Sequence, residues 1–154
     1  LAGLAGEPIR VLATWNRRPL PEPARVDVNT RLVEWISYSQ TMPRCALVIC
    51  HAGHGTMVRA LAAGVPVLAV PHAGDMAENA ARVDWAGAGV RLPWPLLSAR
   101  TLRLATRRAL STESLAHTAG ELAAWAQANS GAARAADLVE ALALKRRDGG
   151  GRTR

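Results

Sequence analysis

The residues at positions 51–56, which read HAGHGT, lie between an apolar run and a helical pattern. Glycine has no Cβ, so the backbone at Gly53 and Gly55 can take positive φ values and approach a ligand closely. A helix that begins here presents unpaired N–H groups and the positive end of its dipole, which attract phosphate. His51, at the end of the preceding strand, adds a side-chain donor. The turn is therefore predicted to bind an anion, although similar strand-to-helix turns also occur without a ligand.

A second unit of the same kind follows directly. Residues 67–70 are typical of a buried strand, and residues 71–80 form a polar loop that enters another helix. Two strand–loop–helix units in tandem bring both loops to the carboxyl edge of one parallel sheet, where open α/β sheets bind their ligands. Asp75, in the second loop, would then bind hydroxyl groups beside a phosphate held by the first.

The elements that position these loops alternate along the whole chain, which predicts an α/β fold with a doubly wound parallel sheet. Ser98 is predicted to cap the helix that it precedes. The predicted strands lie at 9–14, 31–35, 46–50, 67–70 and 89–92. A loop is predicted at 16–23, a single helical turn near 40–42, and helices at 98–110, 113–127 and 132–144.

Two groups of apolar residues are expected to pack in the core. The first forms one face of the last helix, with the spacing i, i+3, i+4 and i+7. It consists of Ala135, Leu138, Val139 and Leu142. The second consists of Trp85, Trp94 and Trp125.

Length and composition indicate one globular domain. The chain has 154 residues, of which 49% are apolar and 20% are charged, and no apolar run approaches the length of a membrane span. Cys45 and Cys50 would point to opposite faces of a strand, so a bridge between them is not expected, and neither has metal-ligand spacing. Reduced cysteines and the lack of a recognisable signal peptide predict a cytoplasmic protein.

The net charge of +7 does not by itself indicate nucleic-acid binding. Residues 145–154 carry five basic residues against one acidic residue, a net charge of +4, in a glycine-rich segment. The remaining positive charge is spread over helix faces. We predict that 145–154 is a disordered, solvated tail and that the chain has no nucleic-acid partner.

The run at 50–92 carries a family resemblance; it reads CHAGHGTMVRALAAGVPVLAVPHAGDMAENAARVDWAGAGVRL. It resembles the donor-binding signature of GT-B nucleotide-sugar glycosyltransferases, above all the bacterial enzymes that glycosylate macrolides and flavonoids. The resemblance extends over about 9–142. It implies that residues 1–144 form the C-terminal, donor-binding Rossmann-like domain. Compared with the family, the first, central strand is missing, so we expect an N-terminally truncated domain that is unstable or partly open.

The resemblance assigns the first loop to the donor diphosphate. His51 would donate to a phosphate oxygen, and Gly53, Gly55 and Thr56 would supply backbone N–H groups, with the threonine hydroxyl as a cap or further donor. The alternatives are a histidine bonded to a neighbouring carbonyl and a threonine that only caps. His51 and His54 are not expected to bind a metal, because no other ligands converge on them.

The second loop is assigned to the sugar. Asp75 and Met76 occur where relatives carry Asp-Gln or Glu-Gln, and the aspartate keeps two acceptors suited to adjacent hydroxyls. Met76 cannot make the hydrogen bonds of glutamine, which is consistent with a deoxysugar. Asp75 alternatively caps the next helix. Asn79 either turns towards the donor or lies on the helix surface.

A third segment is assigned to the base and ribose. The segment from Trp35 through Ile36 to Tyr38 resembles the family's Trp-x-Pro-Gln as a whole, in which the tryptophan stacks on the nucleotide base. Ser37 and Tyr38 replace the usual proline and glutamine. Arg59 occurs where plant relatives bind ribose; it would otherwise balance diphosphate charge or point to solvent. A buried Trp35 without a ligand is the alternative.

These assignments predict an inverting transferase that moves a hexose or deoxyhexose from a UDP- or dTDP-sugar to a hydroxyl of a small natural-product acceptor. The resemblance implies no metal cofactor, and it places the general base in a separate N-terminal domain, so no catalytic residue is named in this chain. By itself the chain is expected to bind nucleotide weakly and not to turn over. The alternatives are a nucleotide-sugar-binding subunit of a two-chain glycosyltransferase, with an acceptor-domain partner, and a nucleotide-sugar epimerase.

Overall fold

A computed structural model describes residues 1–15 and 26–149, except for the side chains of 146–149. The loop predicted at 16–23 lies outside the described residues, as does the end of the predicted tail, 150–154. The predicted tail begins at residue 145, but residues 145–149 belong to the last helix. The helices are α1 (Tyr38–Thr41), α2 (His54–Ala62), α3 (Met76–Trp85), α4 (Ala99–Ser111), α5 (Glu113–Ala128) and α6 (Gly131–Gly149). The strands are β1 (Val11–Thr14), β2 (Thr30–Val33), β3 (Val48–Cys50), β4 (Val67–Ala69) and β5 (Gly89–Arg91).

The strands form two parallel sheets, which confirms the predicted α/β class. One sheet pairs β1 with β2, and the other has the order β3–β4–β5. In the described part of the chain, β1 and β3 do not pair with each other.

Strand β4 is the central strand of the larger sheet, and apolar side chains cover both of its faces. Val67 and Ala69 belong to one apolar cluster with residues of α2 and α3. Leu68 and Val70 point the other way, into a second cluster that includes Ala109 of α4 and Leu115 of α5. Val67 and Leu68 are completely buried, and burial of such side chains contributes roughly 1.5–3 kcal/mol each. Helices on both faces therefore hold the sheet whose carboxyl edge carries the two loops.

Hydrogen bonds and an ion pair connect the first residues of the described chain to α4. A short 3₁₀ helix at Ala2–Leu4 precedes β1. Glu7 accepts two hydrogen bonds from Arg107, at 2.7 and 2.9 Å, and Arg103 donates to the carbonyl of Gly3. The hydrogen bond and positive charge of Arg107 lower the pKa of Glu7. These contacts hold the β1–β2 sheet against the rest of the domain.

The cap predicted at Ser98 is confirmed. Its hydroxyl accepts from the Thr101 N–H, and the Thr101 hydroxyl accepts from the Ser98 N–H, so the two residues form a reciprocal capping box at the start of α4.

Two predictions about packing are wrong. The apolar face of α6 does not reach a core: Leu138, Val139 and Leu142 are 62%, 67% and 58% exposed, and Ala135 is exposed as well. Helical spacing gathers side chains on one face, but only a neighbouring element can bury them. Trp85 and Trp125, expected to pack, are also exposed.

Candidate functional site

The loops after β3 and β4 lie at the same edge of the larger sheet, because the strands are parallel. The first loop runs from the end of β3 into α2, and the second from the end of β4 into α3. The carboxyl edge of such a sheet is where α/β folds bind ligands. The structure thus brings the two predicted loops together.

The first loop turns sharply at Ala52, which has a φ of 63° and is completely buried. The expectation that glycine supplies the unusual backbone is therefore wrong: Gly53 has a φ of −61°, and Gly55 lies within α2. What Gly53 supplies is space. A Cβ at this position would overlap the imidazole of His51, so the histidine ring lies directly over Gly53.

The beginning of α2 is thus open to a ligand. Gly53 is its N-cap residue and has no side chain with which to bond the first N–H groups. Those groups point away from the helix together with the positive end of its dipole. The exposed imidazole of His51 lies beside them. The arrangement is suited to an anion.

Arg59 brings a further positive charge to this point. A Cβ at Gly55 would lie 3.6 Å from Nη1 of Arg59, so the guanidinium reaches back along α2 towards its first turn. Arg59 is itself exposed, so its side chain lies along the surface of α2.

Arg59 also lines an open pocket of about 690 Å³. The pocket brings together all four residues predicted to bind base and ribose: Trp35, Ile36, Tyr38 and Arg59. Trp35 is 59% exposed, which excludes the alternative of a buried packing tryptophan. The aromatic ring is available to stack on a flat ligand.

The second loop is joined to the first by Asn79. Asp75 occupies the N-cap position of α3, but its side chain makes no capping bond. Instead, Oδ2 of Asp75 accepts from Nδ2 of Asn79 at 3.3 Å. The same nitrogen donates to the carbonyl of Ala52 at 3.1 Å. Asn79 therefore turns inward, and the alternative of a surface position is excluded.

Met76 is half-buried and packs against the cluster formed by α2, α3 and β4.

Sequence reasoning missed an aromatic pair beside the second loop. The rings of His72 and Trp94 meet edge to face, with centroids 4.5 Å apart. Trp94 was expected to be a packing residue, but it is 48% exposed. No spacing in the sequence links these two residues, since they follow different strands.

The cysteines and histidines form no metal site in the described part of the chain. Cys45 and Cys50 are free thiols, as predicted. Burial raises the pKa of both thiols, and a hydrogen bond from the backbone of Ala52 partly opposes this at Cys50. In the described residues, no helix is both long and apolar enough to cross a membrane.

A parallel sheet covered by helices on both faces, with two loops gathered at its carboxyl edge, defines an α/β domain of the kind that binds ligands at that edge. Comparison with known proteins identifies the family to which the domain belongs. The family model described as the erythromycin biosynthesis protein CIII-like C-terminal domain matches residues 4–142. The chain belongs to this family and corresponds to the C-terminal domain of its GT-B glycosyltransferases.

Individual relatives agree with this family. The chain is 32% identical over 153 residues to tylactone mycaminosyltransferase of Streptomyces fradiae, a match that covers 99% of this chain and 34% of that protein. It is 32% identical over 142 residues to 4'-demethylrebeccamycin synthase of Lentzea aerocolonigenes, which covers 92% of this chain and 33% of that protein. The chain thus spans about a third of the length of the curated relatives it matches.

Solved structures show the same fold. The calicheamicin glycosyltransferase CalG4 superposes with a TM-score of 0.80 at 27% identity, over 91% of this chain and 36% of that one. The glycosyltransferase VinC, solved in complex with dTDP, superposes with a TM-score of 0.72 at 29% identity, over 79% of this chain and 31% of that one.

Proposed function

We propose that this chain is the donor-binding part of an inverting glycosyltransferase, which transfers a hexose or deoxyhexose from a UDP- or dTDP-sugar to a hydroxyl of a small natural product. The observation that carries the proposal is the continuity of the site. The base pocket around Trp35 reaches, through Arg59, the open beginning of α2 where His51 lies. The base would lie in the pocket, the diphosphate at the beginning of α2, and the ribose between them.

The diphosphate would be held by groups that need no metal. His51 and the N–H groups of Gly53, Gly55 and Thr56 would donate to its oxygens, and Arg59 would add positive charge. The leaving group of the transfer is this nucleoside diphosphate, so donors aimed at it stabilise the charge that develops as the bond to the sugar breaks. The domain would act by positioning and electrostatics.

The sugar would lie against the second loop, where Asp75, Met76 and Asn79 were predicted to bind it. The exposed carboxylate of Asp75 can accept from two adjacent hydroxyls. Met76 lacks hydrogen-bonding capacity, which favours a sugar with fewer hydroxyls. The general base would belong to a separate acceptor-binding domain, and the cytoplasmic location remains a prediction.

We further propose that another strand, which is not among the described residues, fits between β1 and β3 as the first strand of the family's sheet. Among the described residues, β1 pairs only with β2 and β3 only with β4, whereas β4 has a partner on each side. An unfilled position between two sheets leaves strand edges unpaired. Thermal unfolding of the 154-residue chain should be broad and begin at low temperature. A sharp cooperative transition at an ordinary mesophilic midpoint would contradict the missing strand.

The donor assignment is tested by titrating dTDP and UDP into the chain and following its two-dimensional NMR spectrum, which detects millimolar binding. The indole N–H of Trp35 and the amides of Gly53 and Gly55 should shift together. His51→Ala should weaken binding, whereas Arg82→Ala, an exposed change on α3, should not. If neither nucleotide shifts these signals at saturating concentration, the donor assignment is wrong. Product analysis with a matching acceptor domain separates transfer from epimerisation.

A further inference from the structure

Asn79 is a polar side chain that the described structure buries at the junction of the two loops. It is 9% exposed, and its Nδ2 lies within hydrogen-bond distance of the Ala52 carbonyl and the Asp75 carboxylate. Both neighbours accept hydrogen bonds, so the amide nitrogen must face them. An amide nitrogen has two hydrogens, and these two partners use both. The nitrogen has no donor left for a sugar.

Ala52 is the one residue of the first loop whose backbone conformation needs support from outside the loop. An alanine with a φ of 63° lies in a region that residues with a Cβ rarely adopt. Such a conformation persists only when surrounding contacts determine it. The Asn79 bond, from a residue 27 positions later in the chain, is a contact of this kind.

The conformation of Ala52 decides where its neighbours point. His51 precedes it and lies over Gly53, the N-cap residue of α2. If Ala52 left the left-handed region, the imidazole and the first N–H groups of α2 would no longer face the same point.

We propose that Asn79 is a positioning residue, which holds Ala52 in its left-handed conformation and so aims His51 and the beginning of α2 at the donor diphosphate. This inference rests on the proposed function and differs from it in the role of Asn79, which acts through the loop rather than through contact with the sugar. Because the same amide binds Asp75, it also links the diphosphate loop to the sugar loop. A ligand on one loop therefore favours the bound arrangement of the other.

The first experiment uses the ligand-free chain with the substitution Asn79→Ala. The ¹³Cα and ¹³Cβ chemical shifts of Ala52 report its φ directly. In Asn79→Ala these shifts should move away from left-handed values. They should stay unchanged in Glu78→Ala, the matched control, because Glu78 is the preceding residue of α3 and its side chain is exposed. Unchanged Ala52 shifts in Asn79→Ala would overturn the proposal, whether or not any ligand binds. If Asn79→Ala does not fold, Asn79→Leu keeps the volume and removes the same hydrogen bonds.

The second experiment measures affinity for inorganic pyrophosphate and for dTDP. Asn79→Ala should weaken both by about tenfold or more, the usual effect of misdirecting one charged hydrogen bond. Ala52→Gly in the Asn79→Ala background should recover most of that loss, because glycine adopts the left-handed region without support. A loss of general packing would not be rescued by removing a second buried methyl group. Failure of this rescue contradicts positioning.

The outcomes separate the two proposals. Binding of pyrophosphate but of neither nucleotide, with the expected effect of Asn79→Ala, supports positioning and contradicts the donor function. Binding of dTDP that Asn79→Ala leaves unchanged supports the donor function and overturns positioning.

Discussion

The sharpest prediction concerns Gly53→Ala, which should separate binding from folding. The φ and ψ of Gly53 are −61° and 133°, values that alanine adopts without strain. The added Cβ would, however, occupy the space of the His51 imidazole. The ring must therefore rotate away from the beginning of α2, while the backbone of the loop can stay in place.

The magnitudes follow from these contacts. Loss of one hydrogen bond to a charged group costs about 1.5–3 kcal/mol, so affinity for dTDP should fall roughly 10- to 150-fold. The change from glycine to alanine at an N-cap should lower the free energy of unfolding by only about 1 kcal/mol. His51→Ala removes the same contact, so the double variant should bind no more weakly than either single variant.

NMR titration with dTDP measures the affinity, and urea unfolding followed by circular dichroism measures the free energy of unfolding. Gly120→Ala is the matched control, because Gly120 is exposed within α5 and a Cβ there meets nothing within 4 Å. It should stabilise the chain by about 0.5–1 kcal/mol and leave binding unchanged. Wild-type affinity in Gly53→Ala, or additive losses in the double variant with His51→Ala, would refute the role given to the imidazole.

Three further predictions concern other parts of the chain. Trp35→Ala should weaken dTDP binding by about 1–3 kcal/mol, a typical stacking contribution, without changing the affinity for pyrophosphate; an equal loss for both would place the tryptophan elsewhere. Thr106 is buried, and its hydroxyl has no partner among the described residues. Thr106→Val should therefore raise the free energy of unfolding by about 1 kcal/mol in urea titrations, and a decrease would reveal a partner for the hydroxyl. Arg107 lowers the pKa of folded Glu7, so the ionised carboxylate stabilises the fold above the ordinary glutamate pKa, near 4.3, and this contribution is lost as the pH falls through the lower folded value. Glu7→Gln should accordingly be less stable than wild type at neutral pH, with the difference shrinking in acid; a pH-independent difference would contradict the ion pair.

Much of the site was predictable because its signals are local. The strand before His51, the helix after Gly53 and the second loop around Asp75 follow from hydrophobic patterns and turn residues that neighbours in sequence share. The cap at Ser98 is likewise a contact within one helical turn. Parallel strands then require the two loops to meet at one edge, whatever the remaining details.

The backbone of the first loop was not predictable in this way. Glycine permits a left-handed conformation, but the structure places that conformation at Ala52, where a hydrogen bond from Asn79 supports it. The preference of an isolated residue is overridden when a distant side chain supplies the missing partner. No sequence pattern near Ala52 predicts that a side chain of α3 donates a hydrogen bond to its carbonyl.

The sequence by itself determined the order of strands and helices and the two loops at one sheet edge, and it singled out residues that the structure gathers in one pocket, because each depends on types and spacings within a short segment. Only the tertiary structure decided that Trp35 is open, that Asn79 joins two loops and that the apolar face of α6 stays exposed. Periodicity says which side chains share a face, whereas burial and hydrogen bonding depend on what another part of the molecule brings to that face.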